Sequence, residues 1–186
     1  MELELRLAKI EDIPNILELH FKYQIDSILE EDKQDGFITT AFTKEQMAEL
    51  IESEQGLFIA INGNSIVAYA MAASWQFWAR WPMFAHMIKD LPNLNFEGYQ
   101  LSTENSYQYG PVCVDKSARG KGVFEQIFKY CLNEMSNRYP VLVTFINKIN
   151  TRSFTAHTKK VGLTVIQEFE FNNNQYYELA CLTKKL

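Results

Sequence analysis

Three observations predict an α/β chain, a mixed central sheet flanked by helices. Apolar runs of strand period alternate with stretches of helical period along the whole 186 residues. The run Tyr109-Gly-Pro-Val-Cys-Val114 leads through a short polar turn and Arg119-Gly-Lys-Gly122 into an amphipathic helix, giving a strand, a glycine loop and a helix in succession. Two hairpin signals lie on either side of that unit. One joins Leu57-Phe-Ile-Ala-Ile61 to Ile66-Val-Ala-Tyr-Ala-Met71 through Asn62-Gly-Asn64. The other joins Thr164 to Phe171 with Gln175 to Leu182 through Asn172-Asn-Asn174.

From the start of the chain, Glu2-Leu-Glu-Leu-Arg-Leu7 alternates polar and apolar, as a half-buried first strand does. Ile13, Ile16, Leu17, Phe21, Ile25 and Ile28 then recur at helical spacing. Asp12 and Pro14 sit in a first turn that tolerates a negative charge and a missing N–H. The acidic run Glu30, Glu31, Asp32 and Asp35 breaks this helix and reads as a solvated loop. Thr43-Lys-Glu-Gln46 has the form of a capping box and starts a second helix carrying Met47, Leu50 and Ile51.

An insertion at about 75–106 follows the first hairpin, with Trp75, Phe77, Trp78, Trp81 and Phe84 crowded at its start. It reads either as a helical patch on the core or a homodimer contact, or as the wall of a substrate pocket. After the central unit, Val141-Leu-Val-Thr-Phe-Ile146 is a buried strand. Asn150-Thr-Arg-Ser153 opens a short helix that runs through His157 and Lys160 and ends at Gly162. No repeat or linker interrupts the chain, so residues 1–186 are expected to form one domain.

The glycine loop has a physical reading of its own. Two glycines before a helix leave backbone N–H groups unobstructed, and the helix dipole favours an anion there. Lys116, Arg119 and Lys121 add positive charge. Phe124, Ile127, Phe128, Cys131, Leu132 and Met135 recur on one face of the helix, so Phe124 is expected to pack inward. No Walker G-x-x-x-x-G-K-[ST] is present, and a dinucleotide fingerprint would need a glycine where Glu125 stands. Upstream, Pro111 removes a ladder hydrogen bond from a central strand, which predicts a bulge with main-chain groups free for a ligand.

From Arg119 to Gly122 the loop resembles the R-x-x-G-x-[GA] signature of the GCN5-related N-acetyltransferases, with Phe124 standing at the sixth position. Arg6-Leu-Ala-Lys-Ile-Glu-Asp12 resembles the start of that family, and the order of elements is similar over nearly the full chain. The resemblance implies a splay between the two central strands and acetyl-CoA or coenzyme A as cofactor. It places the pyrophosphate on Arg119, Gly120, Lys121, Gly122, Val123 and Phe124, and the pantetheine arm on the main chain of Val112, Cys113 and Val114. An amide near Val112 or Cys113 would polarise the thioester carbonyl. Asn150 and Ser153 resemble the family's N-x-x-[AS], where the asparagine holds the same arm.

The family's proton-donating tyrosine is missing. Counting back from Gly162 lands on Thr158 and counting forward from Asn150 lands on His157, as though the helix carried one extra residue. His157 is therefore the expected acid, with an ordinary imidazole pKa. No general base stands out among Asp35, Glu104 and Tyr107, and many family members deprotonate the amine through water. Phe37, Trp75, Trp78 and Trp81 are expected to wall the acceptor site. The activity implied is transfer of acetyl to a small-molecule or peptide amine. The alternatives are a non-catalytic acyl-CoA-binding module and an interaction protein that binds no coenzyme.

The net charge of −5 argues against general nucleic-acid binding. No signal peptide precedes the first strand and no apolar run is long enough to cross a bilayer. Cys113, Cys131 and Cys181 are odd in number, lie in apolar segments and match no zinc spacing. A cytoplasmic protein with reduced core thiols and no metal is the expectation.

Overall fold

The computed structural model describes residues 1–24 and 40–184. Phe37, Asp35 and the acidic run fall outside them. Nine strands are described, β1 (Glu4–Leu7), β2 (Leu57–Asn62), β3 (Ser65–Ala73), β4 (Asn95–Phe96), β5 (Tyr99–Gln100), β6 (Ser106–Val114), β7 (Val141–Asn147), β8 (Thr164–Phe171) and β9 (Asn174–Leu182). The α-helices are α1 (Ile13–Tyr23), α2 (Lys44–Glu52), α3 (Trp75–Trp78), α4 (Pro82–Asp90), α5 (Val123–Met135) and α6 (Thr151–Thr155). Seven strands form a mixed sheet in the order β1-β2-β3-β6-β7-β9-β8, and β4 and β5 form a small hairpin of their own. The fold class expected from the sequence is the one observed.

The chain divides into two compact units, Met1–Met71 with Gly110–Cys131, and Ala72–Tyr109 with Leu132–Leu186. In the first, β1 and β3 flank β2 in antiparallel pairing. The capping box forms as the sequence predicts. Gln46 N donates to Thr43 Oγ1 at 3.1 Å and Thr43 N to Gln46 Oε1 at 2.9 Å, satisfying two N–H groups that the helix leaves unpaired. Ile13, Ile16 and Leu19 of α1, Met47 and Leu50 of α2, and Leu57 to Ala60 of β2 are buried.

Along α5 the buried stripe is Val123, Ile127, Phe128, Cys131 and Met135. Phe124 is half-buried and lies against Phe128, so the inward position expected for it is taken by Val123. The stripe runs at i, i+4 from Val123 through Ile127, Cys131 and Met135, and Phe124, about 100° further round, falls at its edge.

In the second unit β7 pairs antiparallel with β9, and β9 with β8. Asn172 and Asn173 both have positive φ, the geometry of a tight hairpin turn of the primed type. Trp75 and Trp78 are fully buried, and Phe77, Phe84, Met87 and Leu91 are buried as well. Among the described residues no helix is long and apolar enough to cross a membrane.

Candidate functional site

In the first unit the candidate site is the end of β6 and the loop into α5. Gly120 and Gly122 both have φ near +75°, in the left-handed region. A Cβ at Gly120 would meet nothing within 4 Å and one at Gly122 only a side-chain nitrogen at 3.8 Å. The glycines are therefore required by backbone conformation, not by space. The turn they allow sends the chain directly into α5, which begins at Val123.

A clasp that sequence reading missed holds the approach to this loop. Asp115 accepts from Lys22 Nζ at 2.7 Å, from Tyr23 Oη at 2.9 Å, and from both the amide and hydroxyl of Ser117. Lys116 N donates to Tyr23 Oη at 2.7 Å. Burial pulls the Asp115 carboxyl upward, but the hydrogen bonds from Lys22, Ser117 and Tyr23 outweigh it and hold the group well below the usual carboxylate range. The Arg119 guanidinium lies over the Tyr23 ring at 5.2 Å, and its Nε donates to Val114 O at 3.2 Å. Arg119 thus ties the loop back to β6. Lys121 Nζ donates to Ser117 O at 3.1 Å. Val112 and Val114 are half-buried, and Cys113 is buried with its thiol pushed up to about 12 by burial. The thiol is inert at neutral pH.

The second unit holds Tyr109, Asn150, Ser153 and His157. The β6–β7 ladder pairs Ser106, Tyr107 and Gln108 with Val141, Leu142 and Val143 and goes no further, although both strands continue. Beyond it the Tyr109 carbonyl accepts from the Thr144 hydroxyl at 2.7 Å. Asn150 is the N-cap of α6, its Oδ1 accepting from Ser153 N at 3.4 Å. A π-helical turn over Ala156–Lys160 continues α6 and supplies the one extra residue that the counts to His157 and Thr158 imply.

That turn places His157 inside. It is 3 % exposed, and burial pushes its imidazole down to about 4 against the opposing pull of the Ser153 carbonyl. Its Nδ1–H donates to Ser153 O at 2.8 Å, which leaves Nε2 to accept from Tyr109 Oη at 3.3 Å. The expectation of an acid with an ordinary imidazole pKa is corrected here, because a buried ring of this kind is neutral at neutral pH. Thr158 spends its hydroxyl on Phe154 O at 2.7 Å. His157→Ala is expected to lose about 2 kcal/mol of stability through the cavity and broken hydrogen bonds. It should leave the ionisations of any pH–rate profile from about pH 6 to 8 in place, which kinetics across that range would check.

Of the two readings of the aromatic insertion, the core patch fits Trp75 and Trp78, and the pocket wall expected of them is corrected. Trp75 Nε1 donates to Ser106 Oγ at 3.0 Å and Trp78 Nε1 to Gln108 O at 3.1 Å, so both indoles are committed to the interior. Their rings fill the core of this unit rather than present a face to a substrate. Trp81, half-buried and 5.5 Å from Trp78 between centroids, is the tryptophan of the three that reaches the surface. Glu104 is exposed and Tyr107 buried.

No protein-family sequence model matches the chain, and no curated protein matches it by sequence. Its structure does resemble solved ones. An N-acetyltransferase from Staphylococcus aureus Mu50 is 18% identical with a TM-score of 0.62, covering 99% of this chain and 100% of that one. YncA from Salmonella typhimurium, solved with its cofactor acetyl-CoA, is 14% identical with a TM-score of 0.66, over 100% and 96%. The PaiA N-acetyltransferase from Thermoplasma acidophilum, in complex with coenzyme A, is 13% identical with a TM-score of 0.65, over 96% and 98%.

Proposed function

We propose that this chain, which has the fold of the GCN5-related N-acetyltransferases, binds acetyl-CoA and transfers the acetyl group to a primary amine. The observation that carries the reading is the loop from Arg119 to Phe124. Two left-handed glycines lead there into a 13-residue helix, beside a strand edge where the resemblance puts the pantetheine arm.

In this reading the amides from Arg119 to Phe124 take the pyrophosphate, with Lys121 contributing charge. The main chain of Val112, Cys113 and Val114 takes the amides of the pantetheine arm, and an N–H at Val112 or Cys113 faces the thioester oxygen. Asn150 and Ser153 are the residues to which the resemblance assigns a hold on that arm. The amine nitrogen attacks the thioester carbon in a ternary complex, a C–N bond forms, the C–S bond breaks, coenzyme A leaves as thiolate, and the proton shed by the nitrogen passes to that thiolate or to solvent. Orientation and stabilisation of the oxyanion supply most of the acceleration.

Calorimetry with coenzyme A on wild type and Gly122→Pro tests the cofactor site. Proline cannot adopt φ near +75°, so the loop must change course. Losing one charge-assisted hydrogen bond weakens binding about 10- to 100-fold. Equal affinities in the two proteins would remove the pyrophosphate from this loop.

A second reading, a non-catalytic acyl-CoA-binding module, is favoured by one observation. At neutral pH His157 is an uncharged ring whose one N–H is engaged with the Ser153 carbonyl, and the Thr158 hydroxyl is engaged with Phe154. Thiol release from acetyl-CoA on addition of primary amines distinguishes the two, since the module would release none.

A further inference from the structure

A carboxylate repels a phosphate, so Asp115 at the entrance to a loop read as an anion site needs another explanation. Its charge is offset by Lys22, whose Nζ lies 2.7 Å from Oδ1. Its oxygens fix the chain around it. Oδ2 accepts the Ser117 amide at 3.2 Å and the Ser117 hydroxyl, and Oδ1 accepts the Tyr23 hydroxyl at 2.9 Å.

The main chain of this entrance is committed amide by amide. Asp115 N donates to Val67 O at 2.8 Å, Lys116 N to Tyr23 Oη at 2.7 Å, and Ser117 N to the Asp115 carboxylate. Ala118 N then donates to Asp115 O at 2.9 Å and Arg119 N to Lys116 O at 3.3 Å. A strand, a side chain within the turn and the turn's own carbonyls account for all of these but one. Lys116 N depends on a residue from a different part of the chain.

That residue, Tyr23, ends α1 and meets the entrance at three places. One oxygen accepts from Lys116 N and donates to Asp115, and the ring lies under the Arg119 guanidinium at 5.2 Å. The ring is 9 % exposed, and a buried ring whose hydroxyl is bonded on both sides holds its partners in place. Arg119 is anchored a second time by Val114 O and stands immediately before Gly120. Glycines at positive φ set no direction by themselves, so the course of the loop from Gly120 to Gly122 is fixed from its ends. One end is α5 and the other is Arg119.

We propose that Tyr23 is a positioning residue for the coenzyme, aiming the loop from Gly120 to Gly122 through its hold on Asp115, Lys116 and Arg119. Lys22 supplies the counter-charge that lets a carboxylate take part so near an anion. This rests on the acetyl-transfer reading of the loop. It makes coenzyme affinity depend on the end of α1, which lies outside the strand, loop and helix that would touch the coenzyme.

Calorimetry with coenzyme A on wild type, Tyr23→Phe, Gly122→Pro and the double variant tests it. Tyr23→Phe keeps the ring under Arg119 and removes the oxygen that serves Lys116 and Asp115. It is expected to weaken coenzyme A about 10-fold. In the double variant the loop has already left its course, so Tyr23→Phe should add nothing to the loss from Gly122→Pro. A hydroxyl with a structural role alone would lower the urea midpoint and leave affinity unchanged, or lower affinity by the same factor in both backgrounds. Either result overturns the proposal, and wild-type affinity in Gly122→Pro overturns it too, by taking the pyrophosphate off this loop. Failure of coenzyme A to bind wild type brings down the acetyl-transfer reading itself, whereas wild-type binding that Tyr23→Phe does not weaken removes only the role of Tyr23.

Discussion

Trp78→Ala is expected to destabilise the chain by about 4 kcal/mol, as deletion of a large buried ring does when its surroundings cannot close the gap. Trp78 is fully buried, lies edge-on to Phe77 at 4.9 Å and 4.8 Å from Phe84, and donates its indole N–H to the Gln108 carbonyl. Trp78→Phe keeps most of the volume and loses the hydrogen bond, so about 1–2 kcal/mol is expected. Trp81→Ala removes a half-buried ring and should also cost less than Trp78→Ala. Urea denaturation read as a midpoint shift at constant slope measures all three. Stability of Trp78→Ala within about 1 kcal/mol of wild type would mean that the insertion is not core and would revive the pocket-wall reading.

The second large effect is a gain. The buried carboxyl of Glu178, on β9, titrates at about 7 when folded, against an ordinary value of 4.5, and so binds its proton more tightly in the native protein. Between those two values the native state holds a proton the unfolded chain has released, so stability falls as pH rises and stays lowered above about 7. Glu178→Gln removes the ionisation and should stabilise the protein at pH 8 by on the order of 3 kcal/mol, with much less gain at pH 5. His20 and His157, each pushed down to about 4 by burial, act in the opposite direction. Below the ordinary imidazole range the unfolded chain takes up protons that these buried rings refuse, and stability is lost as pH falls from 6.5 towards 4. The comparison at pH 8 is free of them. A variant no more stable than wild type at pH 8 would show that Glu178 is ionised at little cost, through contacts that leave its carboxylate satisfied.

Most of the element order was legible because its signals are local. The Thr43 capping box needs four consecutive residues, and the Asn172–Asn173 turn needs two positive φ values between alternating strands. The glycine loop announces itself by Gly120 and Gly122 ahead of a stripe at helical spacing. The extra residue near His157 was countable from its distances to Asn150 and Gly162, and the π-helical turn is how the helix absorbs it. Glu178 had a faint signal too, as a charged residue in the alternating run from Gln175 to Leu182 on the side that also carries Tyr176 and Ala180.

The sequence by itself determined the order of most strands and helices, the turns of the two hairpins and the place of a glycine loop ahead of a helix, since each depends on neighbours within a turn or a hairpin. Only the tertiary structure decided what the polar and aromatic side chains do there. Trp75 meets Ser106 across 31 residues, His157 meets Tyr109 across 48, Gln167 meets Asp90 across 77 and Tyr23 meets Asp115 across 92. Burial sets the protonation state of His157, and burial with Gln167 and Asp90 sets that of Glu178, and periodicity along the chain carries no information about either.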